Sequence, residues 1–247
     1  MFINDIHIFW YVGFGLMGIV IGRFMDLLNK NLVEHKKFLS VPVLKEYLKK
    51  SNINYKMISI VSLLYIVLLF FVGMQNKLQL IQYIILVPLL ISVFCIDYKY
   101  QIIPTRLTLT MWEIGIVFSF IRGMYNLNVA IEMWVGMLLG IVIFLILTFL
   151  GNCIFKKETM GFGDVKIMGA LGLIFGWRSV IAISIISFLI AALFSIILIV
   201  IKKVKKQEIN EFIPFGPFIV LATGVIMFIP LHTLIKWMFT IFSFASF

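Results

Sequence analysis

Two acidic residues stand in local sequences that set them apart from the rest of the chain. Asp97 opens the stretch Asp97-Tyr98-Lys99-Tyr100-Gln101-Ile102-Ile103-Pro104-Thr105-Arg106, and Asp164 stands in Gly161-Phe162-Gly163-Asp164-Val165-Lys166. Two carboxyl groups brought together can share one proton. One then acts as general base on a water while the other protonates a carbonyl oxygen, which is aspartic-protease chemistry and requires no metal and no covalent intermediate. Gly161 and Gly163 remove side chains beside the second acid and let another backbone come close. A protease needs that where an extended substrate lies across its catalytic group. Each acid taken alone also fits a plainer reading, as an interfacial helix end or a satisfied polar contact.

The elements that position these acids follow from composition. The chain has 247 residues, 62% hydrophobic and only 13% charged, with a mean hydropathy of +1.12. Soluble domains carry about 45–50% apolar and about 25% charged residues. A soluble enzyme, a secreted disulfide scaffold and a disordered protein are excluded, and a polytopic all-α membrane protein remains. The net charge of +10, from 21 Lys+Arg against 11 Asp+Glu, reads as loop charge and not as a nucleic-acid surface. Cys95 and Cys153 each stand alone, with no CxxC, so no zinc or redox motif is present. They are expected as free thiols packed like small apolar groups. The first basic residue is Arg23, behind Asp5, which is unlike a cleavable signal peptide; the first apolar run is expected to be a retained span.

Apolar runs near 8–28, 57–74, 79–97, 107–122, 129–151, 164–176, 179–201 and 213–230 predict about eight transmembrane helices, because such runs must satisfy their backbone internally. None alternates with the period of a β-barrel strand. The sixth run is short and carries Gly163, Gly169, Gly172 and Gly176, a spacing that lets helices approach closely. With the N-terminus outside, the inside loops hold the basic residues from Lys30 to Lys56, Lys99, Arg106, Lys156, Lys157 and the Lys202–Lys206 run; the outside holds Lys77, Arg122, Arg178 and Lys236. That bias places both Asp97 and Asp164 at the cytoplasmic face. The segment 29–56 is the largest hydrophilic stretch, and its Val43–Lys50 run could form an amphipathic helix near anionic lipid. The tail 231–247 could be a ninth short span or an interfacial helix. Asp26, Glu113, Glu132, Arg23 and Lys166 are the remaining ionisable groups at membrane depth, and such groups are functional candidates by default. Glu113 and Glu132 read as interhelical contacts or helix-end groups.

In these motifs the sequence resembles the type IV prepilin peptidases, membrane aspartic proteases of the GxGD type. Asp97 with Ile103-Pro104 and Leu107-Thr108 looks like the family's first catalytic segment, and Gly161 to Lys166 like its second. Ile213-Pro214-Phe215-Gly216-Pro217-Phe218 is similar to a late motif that opens the last span. Gly18-Ile19-Val20-Ile21-Gly22-Arg23-Phe24-Met25-Asp26 is similar to the first-span motif, with Arg23 for a Ser and Asp26 for an Asn. The 29–56 segment lacks the two CxxC pairs with which many members bind zinc, and Thr105 replaces an Asp that commonly follows the Pro. The resemblance implies catalysis by Asp97 and Asp164, with Gly161, Phe162, Gly163, Lys166 and Pro104 shaping the substrate site. It implies prepilin or pseudopilin substrates with a short basic leader, cut on the cytoplasmic side of the cell membrane. Members often also N-methylate the new N-terminus with S-adenosylmethionine; that cofactor is implied only if this second activity is retained.

The expected organisation is a region 1–78, corresponding to the family's methyltransferase-like part, followed by a membrane-embedded peptidase domain 79–247. Helix polarity suggests an ionised Asp164, near a helix N-terminus, and a protonated Asp97, near a C-terminus. Lys166 could favour an anion nearby or extend to lipid headgroups. The alternative function is a proton-coupled transporter using intramembrane carboxylates, which would want inverted repeats and deeper acids. Presenilin-like proteases share GxGD but want a Tyr before the first Asp, whereas here Tyr98 follows Asp97.

Overall fold

A computed structural model describes residues 2–3, 6–33, 55–156, 160–205, 213–229, 233 and 236. A two-residue hairpin, β1 (Phe2–Ile3) and β2 (Ile6–His7), precedes helices α1 (Ile8–Val33), α2 (Tyr55–Val72), α3 (Lys77–Tyr100), α4 (Thr105–Tyr125), α5 (Leu127–Phe155), α6 (Phe162–Phe175), α7 (Trp177–Val204) and α8 (Gly216–Phe228). The eight helices among the described residues match the eight apolar runs, and the chain is an all-α polytopic membrane protein. Six of these described helices are long and apolar enough to cross a membrane. The other two, α6 and α8, have 14 and 13 residues, roughly 20 Å of helix at about 1.5 Å per residue. That falls short of a bilayer core about 30 Å thick. The Val43–Lys50 run and the tail 231–247, apart from Thr233 and Lys236, lie outside the described residues.

Packing divides the chain into two compact units, Met1–Ile96 and Asp97–Phe247. In the first, α1 and α2 meet through the glycines of the first-span motif. A Cβ on Gly18 would come 2.5 Å from Ser62 Cα, and one on Gly22 would come 3.0 Å from Ile58 Cα. Ser62 Oγ donates to the Gly15 carbonyl at 2.9 Å. The motif is therefore a close helix-packing face, which small residues make possible in lipid.

Pro88 lies inside α3. Proline has no N–H, so the Ile84 carbonyl loses its helical donor. Tyr65, fully buried, donates its hydroxyl to that same carbonyl at 2.6 Å. We expect Tyr65→Phe to lower stability by about 1–3 kcal/mol, the cost of leaving a buried acceptor unpaired. In a Pro88→Ala background, where residue 88 can donate again, the same substitution should cost much less. Thermal unfolding in detergent measures both; equal losses in the two backgrounds would contradict this pairing.

In the second unit α6 packs against α4, α5 and α7. Residues Asp164, Val165 and Ile167 to Ile174 are all buried, the pattern of a helix enclosed on every side. Glycines on both partners bring the backbones of α5 and α6 into contact. A Cβ on Gly136 would lie 2.6 Å from the Gly172 oxygen, and Gly140 stands against the Met168 carbonyl. Gly169 admits Trp112 and Ile141, each 2.8 Å from where its Cβ would be, and Trp112 Nε1 donates to the Lys166 carbonyl at 3.0 Å. Asn126 ends α4 and starts α5, its side chain accepting from the Asn128 N–H at 3.0 Å. Gly176, at φ 82°, turns the chain from α6 into α7. Cys95 and Cys153 are not joined in a disulfide; Cys95 is half-buried, its thiol 4.0 Å from Met57 Sδ, and Cys153 is exposed.

Candidate active site

Asp97 lies in the last turn of α3 and is 5% exposed. Its main chain is fixed by a sharp end to the helix: the Gln101 N–H donates to the Asp97 carbonyl at 2.8 Å, and Gln101 takes a left-handed conformation, φ 54°. Pro104 then caps α4 in extended conformation. A proline suits that place because it restricts the chain before the helix and its carbonyl can accept; it accepts from the Leu107 and Thr108 N–H groups at 3.0 and 3.3 Å.

Asp164 is also 5% exposed and sits in the first turn of α6, three residues after the N-cap Gly161. An acid at that position can reach back to the cap's N–H, and the Gly161 amide hydrogen-bonds the Asp164 carboxylate. Its Oδ1 is buried without a hydrogen-bond partner among the described residues. Around Gly161 there is room, since a Cβ would meet nothing nearer than Asp164 Oδ2 at 3.8 Å. Gly163 is different: a Cβ there would lie 2.9 Å from Ile103 Cβ. Its bare backbone lets the start of α6 close on the segment before Pro104, and so on the chain just beyond Asp97.

The two carboxylates interact as like charges. Of the residues singled out by sequence, Asp97, Asp164, Gly161, Gly163 and Pro104 are thus gathered at the ends of α3, α4 and α6. Phe162 is 62% exposed, and Lys166 Nζ stands 5.9 Å from its ring centroid. These two side chains meet each other one turn apart, a cation–π arrangement. Glu113 and Glu132 lie on exposed faces of α4 and α5. Arg23 is on α1 in the first unit, where the side chain of Asp26 lies outside the described residues. No group of three or more His, Cys, Asp or Glu among the described residues could hold a metal ion.

One participant carries no chemical side chain. The N–H of Gly216, at the start of α8, donates to Asp97 Oδ2 at 2.9 Å across 119 residues of sequence. A Cβ on Gly216 would fall 2.5 Å from that oxygen. This corrects the helix-polarity argument. Asp97 ends one helix but meets the N-terminus of another, so both acids stand at positive helix ends, and polarity no longer distinguishes them. The motif around Gly216 is visible in sequence, but its partner is not.

Residues 84–196, which include both acids, match the family model of the type IV leader peptidase family. The resemblance read from the motifs is borne out. The chain is 31% identical to a prepilin leader peptidase/N-methyltransferase of Legionella pneumophila over 150 residues, covering 61% of this chain and 50% of that protein. A protein of the same description from Aeromonas hydrophila is 28% identical over 159 residues, 64% of this chain and 52% of its own. One from Escherichia coli (strain K12) is 28% identical over 130 residues, 53% and 55% respectively. The matched stretch therefore spans about half the length of these curated relatives. No solved structure matches. These relatives are described as peptidases, and none of the three as a transporter.

Proposed function

We propose that this chain is a prepilin leader peptidase that removes a short basic leader from type IV prepilins or pseudopilins by two-carboxyl activation of water. The observation that carries the proposal is the pair itself: two buried acids, Asp97 and Asp164, interacting at the ends of α3 and α6. The family match over residues 84–196 supports it. In this reading one carboxylate takes a proton from water as the hydroxyl adds to the scissile carbonyl carbon. The other carboxyl gives its proton to the carbonyl oxygen. The gem-diol then collapses, the C–N bond breaks, and the amine leaves with a proton. Asp164 Oδ1, buried without a partner, is the atom against which the attacking water would rest, since buried polar atoms demand one.

The loop-charge bias supports a cytoplasmic location for this site in the cell membrane, with the N-terminus outside. Gly161, Phe162, Gly163, Lys166 and Pro104 would border the substrate. Gly163 would act by letting α6 approach Ile103. Gly163→Ala is therefore expected to lower cleavage about 10²-fold, the scale for a misplaced catalytic group, with membrane insertion retained. Measured cleavage normalised to folded protein decides it; a loss matched by lost folded protein would assign Gly163 to stability alone.

S-adenosylmethionine enters only if the new N-terminus is methylated. The 34–54 part of the segment tied to that activity lies outside the described residues, and the peptidase steps do not run through this cofactor. The test is the intact mass of a prepilin encoded beside this protein, after incubation with the purified chain and S-adenosylmethionine. Loss of the leader mass supports the peptidase, and an added methyl mass would extend it to the transferase. An unchanged mass with folded protein would overturn the proposal.

A further inference from the structure

We propose that Gly216 is a positioning residue for Asp97: its N–H holds Oδ2 in one place and leaves Oδ1 for proton exchange. This rests on the peptidase reading for its functional consequence, though not for the contact itself. The first N–H groups of a helix have no partner within it. In α8 the Phe218 and Ile219 N–H groups turn back to the Phe215 carbonyl at 3.0 and 3.3 Å. Residue 217 is proline and has no N–H. The Gly216 amide is left as the outward donor, and Asp97 Oδ2 receives it at 2.9 Å.

Two features make that donor rigid and specific. Residue 216 must lack a Cβ, which would come 2.5 Å from Oδ2 and 3.0 Å from Asp97 Cγ. The preceding residue, Phe215, is wedged among aromatic rings, with centroids 6.0 Å from Phe144, 4.9 Å from Phe188 and 6.1 Å from Phe218. Phe144 lies on α5 and Phe188 on α7, so the start of α8 is anchored to two other helices before it reaches the acid. A hydrogen bond to a carboxylate is among the stronger ones. It also offsets part of the repulsion from Asp164, without bringing a titratable group to the site.

The test is an unfolding cycle in detergent combined with prepilin kinetics. Gly216→Ala should lower the unfolding midpoint by several degrees, on the order of 5 °C. In an Asp97→Ala background the bond and the two closest atoms are gone and only the residue-97 Cβ remains, at 3.3 Å, so the same change should lower the midpoint by less than half as much. Should Gly216→Ala alone fail to fold, the double variant should fold. In kinetics, Gly216→Ala should lower kcat about 10²-fold with KM within about threefold. Equal midpoint losses in both backgrounds, an unfolded double variant, or a rise in KM at unchanged kcat would each overturn the proposal. If the unmutated protein cleaves no prepilin, the peptidase reading fails, and the unfolding cycle still decides whether Gly216 grips Asp97.

Discussion

Asp97→Asn and Asp164→Asn are each expected to cut leader cleavage by about 10²–10⁴-fold, the range for losing a positioned acid or base, while leaving the protein at least as stable. Asparagine keeps the shape of the side chain. At position 97 its carbonyl oxygen can still accept the Gly216 N–H that Asp97 Oδ2 accepts at 2.9 Å, so α8 should stay docked. The substitution does remove one of two buried acids that act on each other, and a neutral amide escapes the cost of keeping a second ionisable group beside the first. Activity and stability should therefore move in opposite directions, as they do where a site holds groups together against their preference. Asp97→Ala provides the contrast: it abolishes cleavage too but also loses the Gly216 bond, and should melt below the Asn variant. Intact-mass cleavage assays and thermal unfolding of the same preparations read both quantities. Cleavage retained within about tenfold in either Asn variant would remove that acid from the chemistry. Midpoints that fall in step with activity would make the pair a scaffold.

What the sequence displays of this site is its side chains. Asp97 and Asp164 stand out because ionisable groups are rare among apolar runs, and because glycines flank one and a proline follows the other. The helices are legible for a related reason, since a long apolar run in lipid has few other conformations open to it. What it hides is pairing that runs through the backbone. The Gly216 amide and Asp97 are 119 residues apart, and nothing in either local sequence names the other. Tyr65 and the carbonyl opposite Pro88 are hidden in the same way: the proline can be seen, but not the hydroxyl that replaces its missing donor. Gly163 shows that a residue's type is easier to read than its use. A glycine beside an acid suggests an open groove, and the structure instead fills the space above it with Ile103. Helix α6 is as short as its glycine-rich run suggested, whereas α8 is shorter than the run 213–230, because its proline-opened start delays the helix to Gly216.

The glycines of α5 and α6 set the second large effect. Gly172→Ala is expected to cost about 3 kcal/mol, the top of the usual range for an overpacked site. Its Cβ would overlap the Gly136 carbonyl and lie 2.7 Å from the Met137 nitrogen, and main chain cannot rotate aside as a side chain can. Gly115→Ala should be milder, because the atoms it meets at 3.0–3.2 Å belong to the Leu173 side chain. Gly224→Ala, with nothing within 4 Å, should be neutral or stabilising by up to about 1 kcal/mol, since alanine is the better helix former. Unfolding midpoints should follow that order; a Gly224→Ala loss as large as that of Gly172→Ala would break it. The effect should reach the chemistry as well. Gly172 lies two turns along α6 from Asp164, about 12 Å at about 1.5 Å per residue, and touches no part of the site. Yet the α5 backbone is what limits how α6 can sit, and α6 carries Asp164 in its first turn. A helix pushed off that backbone takes the acid with it, so the folded fraction of Gly172→Ala should itself cleave more slowly than the unmutated protein.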